Sequence, residues 1–582
     1  MAVSIEQSGR TPLRGMDEAT GDIITRKLSG MRSPLAAFTI LPVLLSTVAL
    51  PLVAQQPGFA SVFDNHMVLQ RQEPTRVWGW GAAGQSAVVR FGEQEHRATV
   101  DASGAWSVTL KPLVASAEGR ALTLTLGATE FSIEDVVVGE VWVCGGQSNM
   151  AWTVRGTRDA DLEIACADDP LLRFNRMPLE ARGQPRADYV RPEHGGAGKG
   201  WRAIDSRSVT ECTAVGYYFA QRLRRHLKVP IGIVDVSWGG TTAQFWVSKP
   251  RLQRIDSVQP EFERYQKELD AWIKGGREEG AKRRYQAAVA AWEEARAAAR
   301  EAGQKQPRKP GFGAFENPGH KRHPGGGYDG MLVPLRGLTI RGALYFQGEN
   351  NAFGDMWKPF PATYPAVIAE WRELFAKAEL PIGLIQIGGW STRRSMTYDM
   401  NHHTNAVREV QFDTWQRTPG TGLIVTFDLN SDSNIHPGHK RPVGERSARW
   451  ALAEVYGRRG HDKKPLRWRG PIYESSEVKG GRIVVHFKDG TANRLRLDKT
   501  QALGFYLAGE DREFHVADAR VVDKTSVEVF CDAVPAPVAV RYAWSNLPLG
   551  TLMNGKELPA YPFRSDDWPL IPHQSQGAYE RR

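Results

Sequence analysis

Between residues 139 and 460, short apolar runs of strand character take turns with stretches of helical periodicity, and no other feature restricts the fold as much. The strand-like runs are "VVVGEVWVC", "PIGIVDVSW", "IRGALYF", "IGLIQIG" and "GLIVTF"; the helical stretches include "VGYYFAQRLRRHL", "AVIAEWRELFAKA", "AVREVQFDTWQ" and "VGERSARWALAEVYG". Parallel neighbours need a crossover that returns the chain to the same end of the sheet, and a helix is the usual one. The alternation therefore predicts an α/β domain, a parallel sheet with helices on both faces. One stretch interrupts it. Residues 255–325 contain "EFERYQKELDAWIKGGREEGAKRRYQAAVAAWEEARAAAREA", which reads as an inserted helical hairpin that breaks at Gly275 and Gly276. On either side the pattern changes to short β-runs. "TRVWGWG", "SAVVRFG" and "AWSVTL" predict an N-terminal β-domain over 55–138, and "GRIVVHF", "TSVEVF" and "VAVRYAW" predict a C-terminal one over 461–582.

The alternation also says where chemistry belongs. In an open α/β sheet the ligand crevice lies beyond the carboxyl ends of the strands, where loops meet the amino ends of the following helices. "GGQSNM" follows the strand at 141–144, "WGGTT" follows 231–237, "QGENN" follows 342–346, and "DLNSDSNIHPGHK" follows 423–427. Gly145 and Gly146 permit a sharp turn and a close approach to a ligand, leaving Ser148 with hydroxyl and amide toward the crevice. By itself Ser148 would be a helix cap. A base in a matching loop makes it a candidate nucleophile, and His436 in "NIHPG" is that base. There is no GxSxG elbow, which argues against an α/β-hydrolase. "GWGAAG" at 79–84 matches a dinucleotide pattern, but the following "SAVVRF" reads as a strand where a helix is required.

The amino terminus carries an address. After Lys27 and Arg32 runs "SPLAAFTILPVLLSTVALPLVA", without charge and ending at Ala54 before the polar "QQPG". Residues 1–54 therefore read as a secretory signal region, with Met31 as an alternative start and a periplasmic or extracellular location after cleavage. An uncleaved anchor is the competing reading, because Leu52 is large for its place before the cut, although prolines interrupt the span. With the signal removed, no stable membrane insertion is expected. The formal charge of +10 arises from 75 Lys and Arg against 65 Asp and Glu, an intermixed surface that argues against nucleic acid as a partner. Cys144, Cys166, Cys212 and Cys531 lack metal-type spacing, which leaves room for one or two disulfides but points to no zinc site.

Taken together, "GGQSNM", "SWGGT", "FQGENN" and "IHPGHK" resemble the sialate O-acetylesterase family, within the SGNH hydrolases. The likeness extends over most of residues 57–566 through "MVLQR", "VWGWG", "YDGM", "RPVGER", "VAVRYAW" and "LPAYPFRSD". It implies a flavodoxin-like SGNH sheet flanked by β-rich domains, and a serine esterase that removes O-acetyl groups from sugars without metal or organic cofactor. Position by position, it implies Ser148 as nucleophile and His436 as its base. The oxyanion would be met by the amide of Ser148, an amide at Gly239 or Gly240, and the side chain of Asn351. Asn351 is preferred to Asn350 because the family shows a small residue followed by Asn at these two places. Gln147, Gln347 and Glu349 would organise the loops. The family's Asp, three residues before the histidine, is replaced by Ser433. Asp432, Asp428 or a Ser–His dyad remain as alternatives for the third member. The implied partner is an acetylated sugar or glycan. The other function class is a carbohydrate-binding or scaffolding protein on a decayed hydrolase domain; retention of Ser148, His436, Asn351 and the double glycine favours catalysis.

Overall fold

The computed structural model describes residues 55–571 except 192–197, 305, 308, 311–322, 391, 431–433 and 499–502. The signal region expected over 1–54, and Asp432, lie outside the described residues. Six parallel strands form the centre: β1 (Thr129–Gly146), β2 (Asp169–Arg176), β3 (Ile231–Asp235), β4 (Gly342–Phe346), β5 (Ile382–Ile385) and β6 (Thr421–Ile424). Their order is β2-β3-β1-β4-β5-β6, with a short antiparallel strand, Trp201–Ile204, outside β2. From β1 the chain crosses to β2 on one side, returns to β3 between β2 and β1, and then, beginning with β4, builds outward on the other side. The loops leaving β1 and β4 therefore part from each other, which opens a crevice at their carboxyl ends.

The helices are α1 (Ala214–Leu227), α2 (Gln259–Lys274), α3 (Arg277–Glu301), α4 (Phe360–Leu374), α5 (His403–Arg417) and α6 (Arg441–Trp450). Side chains alternate along a strand, so Trp142 and Gly145 of β1 face opposite ways. The Trp142 ring meets Phe219 of α1 at 4.9 Å and Trp450 of α6 at 6.1 Å. On the other face a Cβ at Gly145 would stand 2.4 Å from the Trp371 ring of α4. Both faces are thus covered, which is why β1 reads as an apolar run from Val136 to Cys144 broken only by Gly139 and Glu140. Each large apolar side chain buried there contributes about 1.5–3 kcal/mol. Local signals agree with this packing. Thr213 caps α1 by accepting from the Gly216 amide, and Arg224, Arg225 and His226 in its last turn complement the helix dipole.

β1 runs unbroken through position 138, where the sequence reading divides two domains. Its first half pairs with the antiparallel strand Ser116–Leu126 and with Val68–Gln70. "GWGAAG" connects the strands Thr75–Trp80 and Ser86–Phe91. Toward the carboxyl terminus, seven antiparallel strands between Tyr473 and Arg564 form a separate sheet. Helices α2 and α3 are joined at Gly275 and Gly276, the latter at φ +60°. All four cysteines are free thiols, so neither allowed disulfide forms. Among the described residues no helix is long and apolar enough to cross a membrane.

Candidate active site

The turn after β1 needs its two glycines for different reasons. Gly145 is crowded by Trp371, while Gly146 has φ +124° and would place a Cβ 2.1 Å from the Phe346 carbonyl oxygen of β4. No residue with a Cβ adopts this path without displacing the neighbouring strand. The chain then enters a helical turn, Ser148–Ala151, whose first amides have no intrahelical acceptor.

Ser148 Oγ and His436 Nε2 are 2.7 Å apart although 288 positions separate them in the chain. Trp152 stacks on the imidazole, ring centres 5.1 Å apart and planes 19° from parallel, and the His436 amide donates to Asn434 Oδ1 at 2.9 Å. Burial, and after it the Lys440 ammonium, holds the imidazole pKa below its usual range. At neutral pH the ring is therefore uncharged, and a nitrogen facing a hydroxyl can accept its proton. Among the described residues none accepts a hydrogen bond from Nδ1 of His436. Asp428, weighed from sequence as the third member, is exposed and gives both oxygens to Arg446 of α6, at 2.8 and 2.5 Å. It braces the loop against α6 and does not meet the histidine. Asp432 lies outside the described residues.

The "WGGTT" loop abuts the serine. A Cβ on Gly239 would be 3.1 Å from Ser148 Cβ, and Gly240 has φ +79°. The amides of Ser148 and Gly240 have no acceptor among the described residues. Unspent donors beside a hydroxyl are what an oxyanion forming there would require.

Neutral amides lock the three loops around the serine. Gln147 Oε1 accepts from Gln347 Nε2 at 2.7 Å and from the Asn350 amide at 3.2 Å. Gln347 Nε2 also donates to the Thr241 carbonyl at 2.8 Å, and its own carbonyl accepts from Gln411 of α5 at 2.9 Å. Asn351, expected to point at the oxyanion, is turned inward. Its Nδ2 donates to Gln244 Oε1 at 3.0 Å and Met356 O at 3.4 Å, and its Oδ1 accepts from the Ala243 amide at 3.0 Å. The donor is spent on loop structure because Asn351 is fully buried. Asn350 is half-buried, and its side-chain amide has no partner among the described residues.

The histidine side is held by charge. Asn149 donates through Nδ2 to Glu349 Oε1 and, at 3.1 Å, to the carbonyl of Ile435, the residue before His436; Lys440 donates to Asn149 Oδ1. Lys440 and Glu349 are both buried, and Glu349 Oε2 has no partner among the described residues. Burial pushes the Lys440 pKa down to about 7 and raises that of Glu349. Lys440, Gln244 and Trp152 escaped the sequence reading. Lys440 lies within the quoted "IHPGHK", yet a lysine there resembles a solvated charge, and Gln244 in "TTAQFW" has no distinguishing pattern. Among the described residues no group of three or more His, Cys, Asp or Glu side chains could hold a metal ion.

No protein-family model matches the chain. It is 26% identical to the sialate O-acetylesterase of Mus musculus over 555 residues, covering 87% of this chain and 93% of the mouse protein. The Rattus norvegicus sialate O-acetylesterase gives 27% over 546 residues, with the same 87% and 93% coverage. A solved carbohydrate acetylesterase from Xanthomonas citri matches with a TM-score of 0.70 and 29% identity, covering 88% of this chain and 100% of that one.

Proposed function

From a chain whose relatives over most of its length are sialate O-acetylesterases and a carbohydrate acetylesterase, we propose a secreted serine esterase that frees sugar hydroxyls of acetyl groups on an SGNH-type, flavodoxin-like sheet. The single observation that carries this reading is the 2.7 Å contact between Ser148 Oγ and an uncharged His436. Ser148 Oγ attacks the acetyl carbonyl carbon while its proton passes to Nε2. The carbonyl oxygen gathers charge and is met by the amides of Ser148 and Gly240 and by the side chain of Asn350, which replaces Asn351 in this role. His436 returns the proton to the sugar oxygen as the C–O bond breaks, leaving an acetyl-enzyme. A water molecule, deprotonated by the same nitrogen, then releases acetate and restores Ser148.

The test is acetate release from p-nitrophenyl acetate, from O-acetylated sialic acid and from acetylated polysaccharides, by the wild type and by Ser148→Ala. Wild-type turnover on at least one acetylated sugar, absent in the variant, is the expected result. Equal release by both proteins would overturn the reading. Edman sequencing of secreted protein should begin just after Ala54, and retention of the apolar segment would overturn secretion by cleavage.

A further inference from the structure

Glu261 is a carboxylate that this reaction does not use, yet it is only 8% exposed. It lies in the first turn of α2, the first helix of an insertion whose second helix, α3, faces mostly solvent. Its Oε2 accepts from Gln244 Nε2 at 3.0 Å, and Gln244 Oε1 in turn accepts from Asn351 Nδ2 at 3.0 Å. The chain of bonds ends at Asn351 Oδ1, which holds the Ala243 amide at 3.0 Å and Gln347 Nε2 at 3.4 Å. An amide can present either end, but an ionised carboxylate can only accept. Glu261 thus turns the Gln244 nitrogen toward itself and the Gln244 oxygen toward Asn351. Reversing Gln244 would set oxygen against oxygen at one end and nitrogen against nitrogen at the other. Gln244 and Asn351 are fully buried, so no solvent is at hand to repair a reversed pair.

We propose that Glu261 is a positioning residue for the esterase site: through Gln244 and Asn351 it fixes the loop that presents Asn350, so the helical insertion takes part in catalysis without touching substrate. The inference rests on the function proposed above. Burial pushes the Glu261 pKa up to about 7, opposed by the Gln244 hydrogen bond and the Arg264 charge. The acceptor is nevertheless present in either protonation state, since a protonated carboxyl keeps one carbonyl oxygen.

The experiment measures kcat, KM and Tm for Glu261→Leu, Glu261→Gln and Glu261→Asp in the full chain, beside Ser148→Ala. Losing the acceptor in Glu261→Leu should lower kcat by about 10-fold with KM unchanged, since the affected loop acts on the transition state. Glu261→Gln, which can still accept, should restore kcat to within about threefold of wild type, and Glu261→Asp should fall between. A lowered Tm with undiminished kcat would reduce Glu261 to a structural residue and overturn the proposal. So would a change in KM alone, or equal losses in the Gln and Leu variants. If Glu261→Leu does not fold, the Asp and Gln variants decide on the same criteria. An active Ser148→Ala would instead overturn the esterase reading, so the two failures are distinguishable.

Discussion

The two ends of the central sheet carry charge in opposite ways. At the amino end, Glu140 is fully buried where β1 enters the parallel sheet, and it is completely paired: Arg71 at 2.6 Å, Arg341 at 2.8 Å and Gln70 at 3.0 Å. Arg341 continues to Glu73 at 3.0 Å, which also holds Lys377 at 2.8 Å. At the carboxyl end, among the described residues, Glu349 leaves one oxygen without a partner, the amides of Ser148 and Gly240 are unspent, and Lys440 is buried and linked through Asn149. A saturated cluster resists change, because losing any member strands another in the interior. Open valences cost stability, and they persist where a reacting group is meant to fill them. The difference sets a joint apart from the candidate site.

Exchanging the two ends by mutation is the sharpest way to break the comparison. Ser148→Ala and His436→Ala should each lower kcat by about 10⁴-fold or more. Their melting temperatures should stay near wild type, since loss of a half-buried hydroxyl costs at most about 0.5 kcal/mol. Glu140→Ala should do the reverse. It leaves Arg71 and Arg341 facing an empty place and should cost about 3–5 kcal/mol in urea unfolding, with kcat of the folded fraction unchanged. A catalytic defect in Glu140→Ala at temperatures where it stays folded would erase the distinction.

What the sequence could tell follows the same division. The alternation of strands and helices was legible because the covered sheet writes itself as apolar runs, and the loops stood out because Gly, Ser, Asn and His interrupt those runs at matching places. Ser148 and His436, far apart in the chain, were paired by that logic and lie in contact. Asn351 was chosen over Asn350 on family pattern alone, and only burial distinguishes them: one side chain turns inward to Gln244, the other does not. Asp428 was a plausible acid until Arg446, on a different element, claimed it. Neither outcome is local. The strand β2 went unread because "DPLLRFNR" mixes charge with apolar residues, and its Arg173 is buried against the Asp135 carbonyl oxygen, a partner no local pattern reveals.

Asn350 offers the next smaller test. As an oxyanion donor its replacement by Ala should lower kcat by about 10²-fold with KM nearly constant. Asn351→Ala should instead lower Tm, because it removes the inward bonds to Gln244 and Ala243 at once. If Asn351→Ala were the more damaging to kcat at full folding while Asn350→Ala were silent, the assignment of the donor would return to Asn351.

The smallest expected effect concerns Lys440, and it asks whether the charge at the crevice end acts on chemistry. In the mechanism proposed above His436 must be uncharged to accept the serine proton, so kcat/KM should fall as pH drops through the imidazole pKa. That pKa is lowered first by burial and second by Lys440. The lysine's own pKa is depressed to about 7, so on the acid side of neutrality, where the histidine titrates, it carries its proton and repels a second charge. Replacing it in Lys440→Met removes the repulsion and leaves burial in place. The acid limb of kcat/KM should therefore move to higher pH, toward the ordinary imidazole value, by less than about one unit because the smaller of two causes is removed. Above neutrality Lys440 loses its proton in the wild type as well, so the plateau should be nearly the same in both proteins if the Asn149 contact to Ile435 survives. The measurement is the pH profile of kcat/KM with p-nitrophenyl acetate. A limb that stays in place, with only Tm lowered, would make Lys440 a structural charge of the same kind as those around Glu140, and the contrast between the two ends would then rest on Ser148, His436 and the unspent amides alone.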